Sequence, residues 1–180
     1  MDLLEGIKSR RSVRRYDMER TVEDEVIRKI IEYAGWAPSA NNGQPWNFIV
    51  FRDPEKKRRI AERSRWAKFL PEVPVGIVVV TEFSRAREVK EEKALRYFSI
   101  QDSAAAIQNL LLAAWAFGLG TCWIGDFDEE QLRDMFDIPE GHNAVGIIAL
   151  GYPHPEWKGT PRPRKPVDEI LHFEKFNQSL

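Results

Sequence analysis

Between Ser103 and Gly125 the chain carries no charged residue, and a run of 23 positions is long enough to span a bilayer. A fold containing it must either place it in lipid or build a core around it. Its polar content decides against lipid: Gln108 and Asn109 sit near the middle, and Gly118, Gly120 and Gly125 crowd the end. The run therefore reads as a buried helix followed by a loop. A helix apolar nearly all round belongs at a domain centre or a subunit interface, and the alanines of "SAAAIQNLLLAAWAF" allow close helix packing. This predicts a dimer.

The rest of the chain can supply the core. At 180 residues with 43% apolar and 11% aromatic content, it reads as one domain over 1–180. Lys plus Arg (27) nearly balances Asp plus Glu (28), so a net charge of −1 offers no field for nucleic acid or an anionic membrane. Cys122 is the single cysteine, which excludes an intrachain disulfide, and His142, His154 and His172 are too widely spaced for a compact metal motif. No metal site is expected, and a reducing cytoplasm is the natural location. "MDLLEGIKSRR" is acidic before it is basic and has no apolar core, so it does not read as a signal peptide.

Periodicity supplies the elements. Met1 to Tyr16 reads as a short helix, a basic turn and an exit. Thr21 is placed to cap a helix from about Val22 to Trp36, stopped by Pro38. "APSANNGQPW" is a loop leading into a strand at Asn47–Phe51, and Pro54 opens a charged helix. Val75 to Glu82 is apolar without alternation, as a strand covered on both faces should be. The central helix runs from about Asp102 to Phe117, with Gly118 suited to a left-handed cap. "GTCWIG" reads as a loop, Asp128 as the N-cap of the next helix with Gln131 completing a capping box, and Asn143–Pro153 as the third strand. The order is helix, helix, strand, helix, strand, helix, helix, strand, tail: α+β, a sheet layered with helices.

Several chemistries drop out. Gly118, Gly120 and Gly125 do not space as a dinucleotide fingerprint and follow a helix where that motif follows a strand; Asp126 stands where a P-loop needs lysine. Cys122 lies in apolar company with no base legible beside it and reads as a packing residue. What remains is charge. Five cations (Lys8, Arg10, Arg11, Arg14, Arg15) crowd "GIKSRRSVRRY" and four more fall between Lys158 and Lys165, with no acid in either stretch. An isolated basic run is usually a solvated face or a nucleic-acid tail. Here Ser12 lies among forked donors and apolar residues interleave, which suits an ordered site for one compact dianion, best a phosphate monoester. Ser39, Asn41, Asn42 and Gln44 supply groups for a uracil-like ring edge, and "TCWIG" an aromatic, an aliphatic and an approachable glycine. Phosphate, amide edge and flat ring together suggest flavin mononucleotide.

At this point the chain resembles the FMN-dependent nitroreductase family, through "RRSVRRY", "APSANNGQPWNFIVF", "QDSAAAIQNLLLAAWAFGLGTCWIG", "IPEGHNAVGIIALGYP" and "RPRKP", in that order and over nearly the whole length. The resemblance implies a nitroreductase-like α+β fold with a mostly antiparallel central sheet. It also implies an intertwined homodimer with FMN at the subunit interface. It puts the phosphate on Arg10, Arg11, Ser12 and Arg14, joined by Arg164 and by Arg162 or Lys165. Pro38, Ser39 and Asn41 match a loop reaching the flavin from the partner; Asn42 and Gln44 either support that loop or touch polar ring atoms. Trp123, Ile124 and Gly125 match the loop along the isoalloxazine, with an amide at or beside Gly125 facing N5. The implied activity is ping-pong hydride transfer from NADH or NADPH through flavin N5 to a nitroaromatic, a quinone or a related small oxidant. No catalytic side chain is expected, because the cofactor carries the chemistry.

The fold does not fix the reaction. A specialised flavoenzyme with a non-nitro substrate is the nearest alternative, because "EFSRAREVKEEKALRYF" (82–98) matches no recognisable lid. From another class, a non-redox dimer binding a phosphorylated metabolite or RNA also uses the arginines.

Overall fold

The computed structural model describes residues 2–85 and 92–178. Nine principal elements follow one another: α1 (Leu3–Ser9), α2 (Asp24–Ala34), β1 (Trp46–Phe51), α3 (Pro54–Arg63), β2 (Val75–Glu82), α4 (Glu92–Ala116), β3 (Gly120–Ile124), α5 (Glu129–Phe136) and β4 (His142–Gly151). The four strands form one antiparallel sheet in the order β1-β2-β4-β3. The class is α+β.

Alternation along β2 builds two cores. Val75, Ile77 and Val79 join Ile27, Ile30 and Ala34 of α2 and Ile107, Leu110 and Ala114 of α4. Val78 and Val80 face the other way, toward Ile60 of α3 and Leu132 of α5. A strand covered on both faces needs apolar residues at every position, which explains "VGIVVV".

Local signals account for most ends. Asp53 accepts from the Lys56 amide at 2.8 Å and Pro54 opens α3. Asp128 accepts from the Gln131 amide at 3.0 Å, but the Gln131 side chain donates to the Arg59 carbonyl, so the expected capping box is half made. Gly118 takes φ +75 just past α4, the left-handed conformation that ends the helix.

Four expectations need correction. "GTCWI" is a strand, β3, not a loop; its flanking glycines suggested a turn, but the β-prone residues between them pair with β4. α4 begins at Glu92, ten residues before the expected start, because its first turns belong to the charged stretch 82–98, whose charges mask the helical pattern. Residues 86–91 of the unassigned charged stretch lie outside the described residues. α2 begins at Asp24 behind Glu23, leaving Thr21 outside the helix. β4 ends at Gly151, two residues short of Pro153, which bridges to Tyr16 instead.

Candidate functional site

α1 delivers the first basic segment to the edge of the sheet. Beyond Ser9 the chain runs extended beside β3, where the Val13 amide donates to the Thr121 carbonyl at 2.8 Å and Ser12 bridges Thr121. Val13 and Tyr16 are buried, and the Tyr16 hydroxyl donates to the Val13 carbonyl at 2.7 Å. These apolar pins leave Ser12, Arg14 and Arg15 facing outward, with Arg10 and Arg11 half-buried. Gly120 permits the approach, since a Cβ there meets Val13 Cγ2 at 2.5 Å.

The second segment arrives from β4. The His154 amide donates to the Arg15 carbonyl at 3.1 Å, and Arg15 pairs with Glu156 at 2.7 Å. Residues beyond Trp157 then run back along the first segment. Together they enclose a cavity of about 460 Å³ lined by Arg10, Arg11, Ser12, Arg14, Arg15, Trp157, Lys158, Thr160, Arg162 and Arg164, seven of them cationic and none acidic. Burial, then the charges of Arg11 and Arg164, push the Arg10 guanidinium below its ordinary value. Such a crowding of cations favours an anion among them. Beneath it the Cys122 thiol is buried, and burial raises its pKa against the opposing pull of Arg14, Ser12 and Arg10.

The amide loop lies elsewhere. It precedes β1, which lies at the opposite edge of the sheet from β3, three strand spacings or about 14 Å away. Neither Pro38, Ser39, Asn41 nor Gln44 lines that cavity. The loop is nonetheless shaped: Asn41, Asn42 and Gln44 all have positive φ. Ser39 Oγ accepts from the Gln44 amide at 3.0 Å, and Asp102 Oδ2 from the Ala40 amide at 3.1 Å. Gln44 Nε2 donates to Asn42 Oδ1 at 3.2 Å, so within one chain these two side chains brace the loop.

Of the three residues at the end of β3 and just past it, Trp123 is 39% exposed and lies over Gly146, where a Cβ falls 2.3 Å from the indole nitrogen. Ile124 is buried in the core and offers only its main chain; Gly125 is exposed just past the strand. Lys165 lies outside the cavity lining, whereas Arg162 and Arg164 belong to it. Among the described residues no group of His, Cys, Asp and Glu could hold a metal ion, and no helix is long and apolar enough to cross a membrane.

A model of the family described as "Nitroreductase family" matches residues 7–68 and 63–152. A Methanothermobacter thermautotrophicus protein named as a candidate NADH dehydrogenase/NAD(P)H nitroreductase is 38% identical over 98% of this chain and 88% of its own. The chain belongs to the nitroreductase family. The FMN reductase [NAD(P)H] of Bacillus subtilis is 26% identical over 97% of this chain and 74% of its own. The crystal structure of a nitroreductase family protein from Streptococcus pneumoniae superposes with a TM-score of 0.84 at 26% identity, over 96% of this chain and 100% of the other.

Within this nitroreductase-family chain, sequence reasoning missed Trp157 and Thr160 in the cavity lining. Trp157 directly precedes the second basic stretch, a position that carries no signal without its packing partner. Also missed was Asp126, whose Oδ2 accepts from Ser64 Oγ at 3.1 Å and the Arg65 amide at 2.8 Å, fixing the turn after α3 beside Gly125.

Proposed function

We propose that this chain is an FMN-dependent oxidoreductase that takes electrons from NADH or NADPH and delivers them to small flat oxidants such as nitroaromatics and quinones. The observation that carries this reading is the convergence of two acid-free basic segments and a serine hydroxyl on one cavity. A phosphate monoester fits that donor set: Arg10 and Arg14 supply forked donors from one side, Arg162 and Arg164 from the other, and Ser12 a hydroxyl for a remaining lone pair. Arg11 is partly committed, since its guanidinium donates to the Lys8 and Arg10 carbonyls at the end of α1.

The ring fits beyond the phosphate. β3 is the strand bridged to Ser12, so its exit at Gly125 lies on the cavity's side of the sheet, and a glycine amide there can be approached closely. The amide loop belongs, on this reading, to the site of a second copy, which makes the functional unit a homodimer. When bound, FMN supplies the group that accepts a hydride from the nicotinamide and passes two electrons on. The chain's own residues then have to hold, orient and shield. The single buried thiol suits a reducing cytoplasm.

The test is the visible spectrum of the purified protein, supplemented with FMN if colourless, followed by anaerobic NADH and NADPH. Flavin bands that bleach with either nucleotide, and ping-pong kinetics with a nitroaromatic or quinone, are the expected result. Failure to take up FMN would refute the reading and leave the non-redox anion binder.

A further inference from the structure

We propose that Trp157 is a positioning residue: by packing on Trp115 it docks the cationic arm 158–164 against Arg10 and Arg14, and thereby sets how tightly the cavity holds its anion. The inference rests on the reading of the cavity as a phosphate site and assigns the part that keeps it closed.

The arm needs holding because its charges repel those it faces. Every residue from 158 to 164 is exposed, and none lies in a helix or strand. Among the described residues, the arm's own hydrogen bonds run from Arg164 Nη1 to the carbonyls of Arg162 and Pro163, both within the arm. Polar contacts therefore do not tie it to the body of the molecule. Bringing Lys158, Arg162 and Arg164 to a wall already carrying Arg10 and Arg14 is unfavourable without an anion.

An apolar anchor stands at the arm's root. Trp157 packs against the core on the α3 and α5 side, edge-on to Trp115, with ring centroids 6.4 Å apart and planes at 78°. Trp115, on α4, is fixed in turn: its Nε1 donates to Ser9 Oγ at 2.9 Å. Ser9 is the last residue of α1 and immediately precedes Arg10. Ser9, Trp115 and Trp157 thus connect the root of one basic segment to the root of the other. Gly159 lets the chain fold over the indole, since a Cβ there comes within 2.9 Å of the ring. Trp157 borders the cavity without charge and acts through Arg162 and Arg164.

The experiment is a double-mutant cycle on FMN affinity at fixed ionic strength, using Trp157→Ala, Trp157→Phe, Arg164→Ala and the Trp157→Ala/Arg164→Ala pair. Trp157→Ala and Arg164→Ala should each weaken FMN binding about tenfold, the pair no more than about twofold further, and Trp157→Phe should stay within about threefold of wild type. Wild-type affinity in Trp157→Ala, or losses that multiply in the pair, would overturn the proposal, because a merely structural tryptophan has no reason to couple to Arg164. Should Trp157→Ala fail to fold, Ser9→Ala, which removes only the hydroxyl that accepts from Trp115 Nε1, must show the same coupling in milder form. If the wild type does not bind FMN, the flavin reading fails separately. The same variants are then titrated with inorganic phosphate and followed by melting temperature, where loss of coupling again refutes the anchor.

Discussion

Arg10 and Arg14 occupy different surroundings and should respond differently to removal. Arg10 is half-buried beside Arg11 and Arg164, so its charge is costly without an anion. Arg14 is exposed to solvent. If both arginines hold the phosphate as proposed, replacing either by Ala removes a charge-assisted contact of about 1.5–3 kcal/mol, or roughly ten- to a hundredfold in FMN affinity. The anion-free Arg10→Ala protein should melt no lower than wild type, because the variant relieves repulsion. Fluorescence titration with FMN, paired with melting curves, checks both; undiminished FMN retention in the double variant would remove the phosphate assignment. Asp102 gives a second test at this scale. Burial raises its pKa above the ordinary 3.8, against the opposing hydrogen bond from Ala40. A folded value above the unfolded one means that stability is fullest below the ordinary value and is lost as pH rises through the raised one. Asp102→Asn keeps an acceptor for the Ala40 amide and removes the charge. It should therefore be at least as stable as wild type at pH 7, with the advantage vanishing near pH 3.5. Melts across that range decide it, and a variant markedly less stable at pH 7 would show that the loop needs the charge.

Among the elements, β3 explains why some of the fold was legible and some was not. β2 and β4 announce themselves because strands covered on both faces are apolar throughout, and α2 because an amphipathic helix leaves a periodic stripe. β3 carries a glycine at its start and another just past its end, and the reason for Gly120 is a contact with Val13, more than a hundred residues away in the chain. No local pattern encodes that. The same holds for the site: the basic segments stood out because charge without acid is visible in one dimension, whereas Trp157 and Asp126 act through partners distant in sequence. Gly120→Ala tests the contact. The added methyl must displace Val13, which pins the Arg10–Arg15 segment, at about 1–3 kcal/mol of stability. FMN affinity should fall with it, measured on protein shown by circular dichroism to be folded. An unaffected affinity would mean that the segment is held by Tyr16 and Pro153 alone.

At the scale of the whole molecule, the chain leaves an apolar face uncovered. Leu3 of α1, Tyr33 of α2 and Leu112 of α4, with Trp36 and Phe117 just past the ends of α2 and α4, line a groove of about 440 Å³. Trp36 is 79% exposed, and farther on Val167, Ile170 and Phe176 are exposed as well. A solvated face of this kind normally meets a partner. The amide loop, shaped by three left-handed residues yet remote from the basic cavity of its own chain, asks for the same thing: a site across an interface. On the proposed reading, a second copy satisfies both demands. Trp36→Glu touches little within one chain, so it should leave the monomer fold intact while placing a charge in the interface. Sedimentation is expected to give a dimer for wild type and a shift toward monomer for the variant, with FMN affinity falling in parallel because each phosphate cavity loses its partner's loop. A wild-type monomer that retains FMN would break this link. The amide loop would then be left without a flavin to contact, and the two halves of the site would have to be assigned to different ligands.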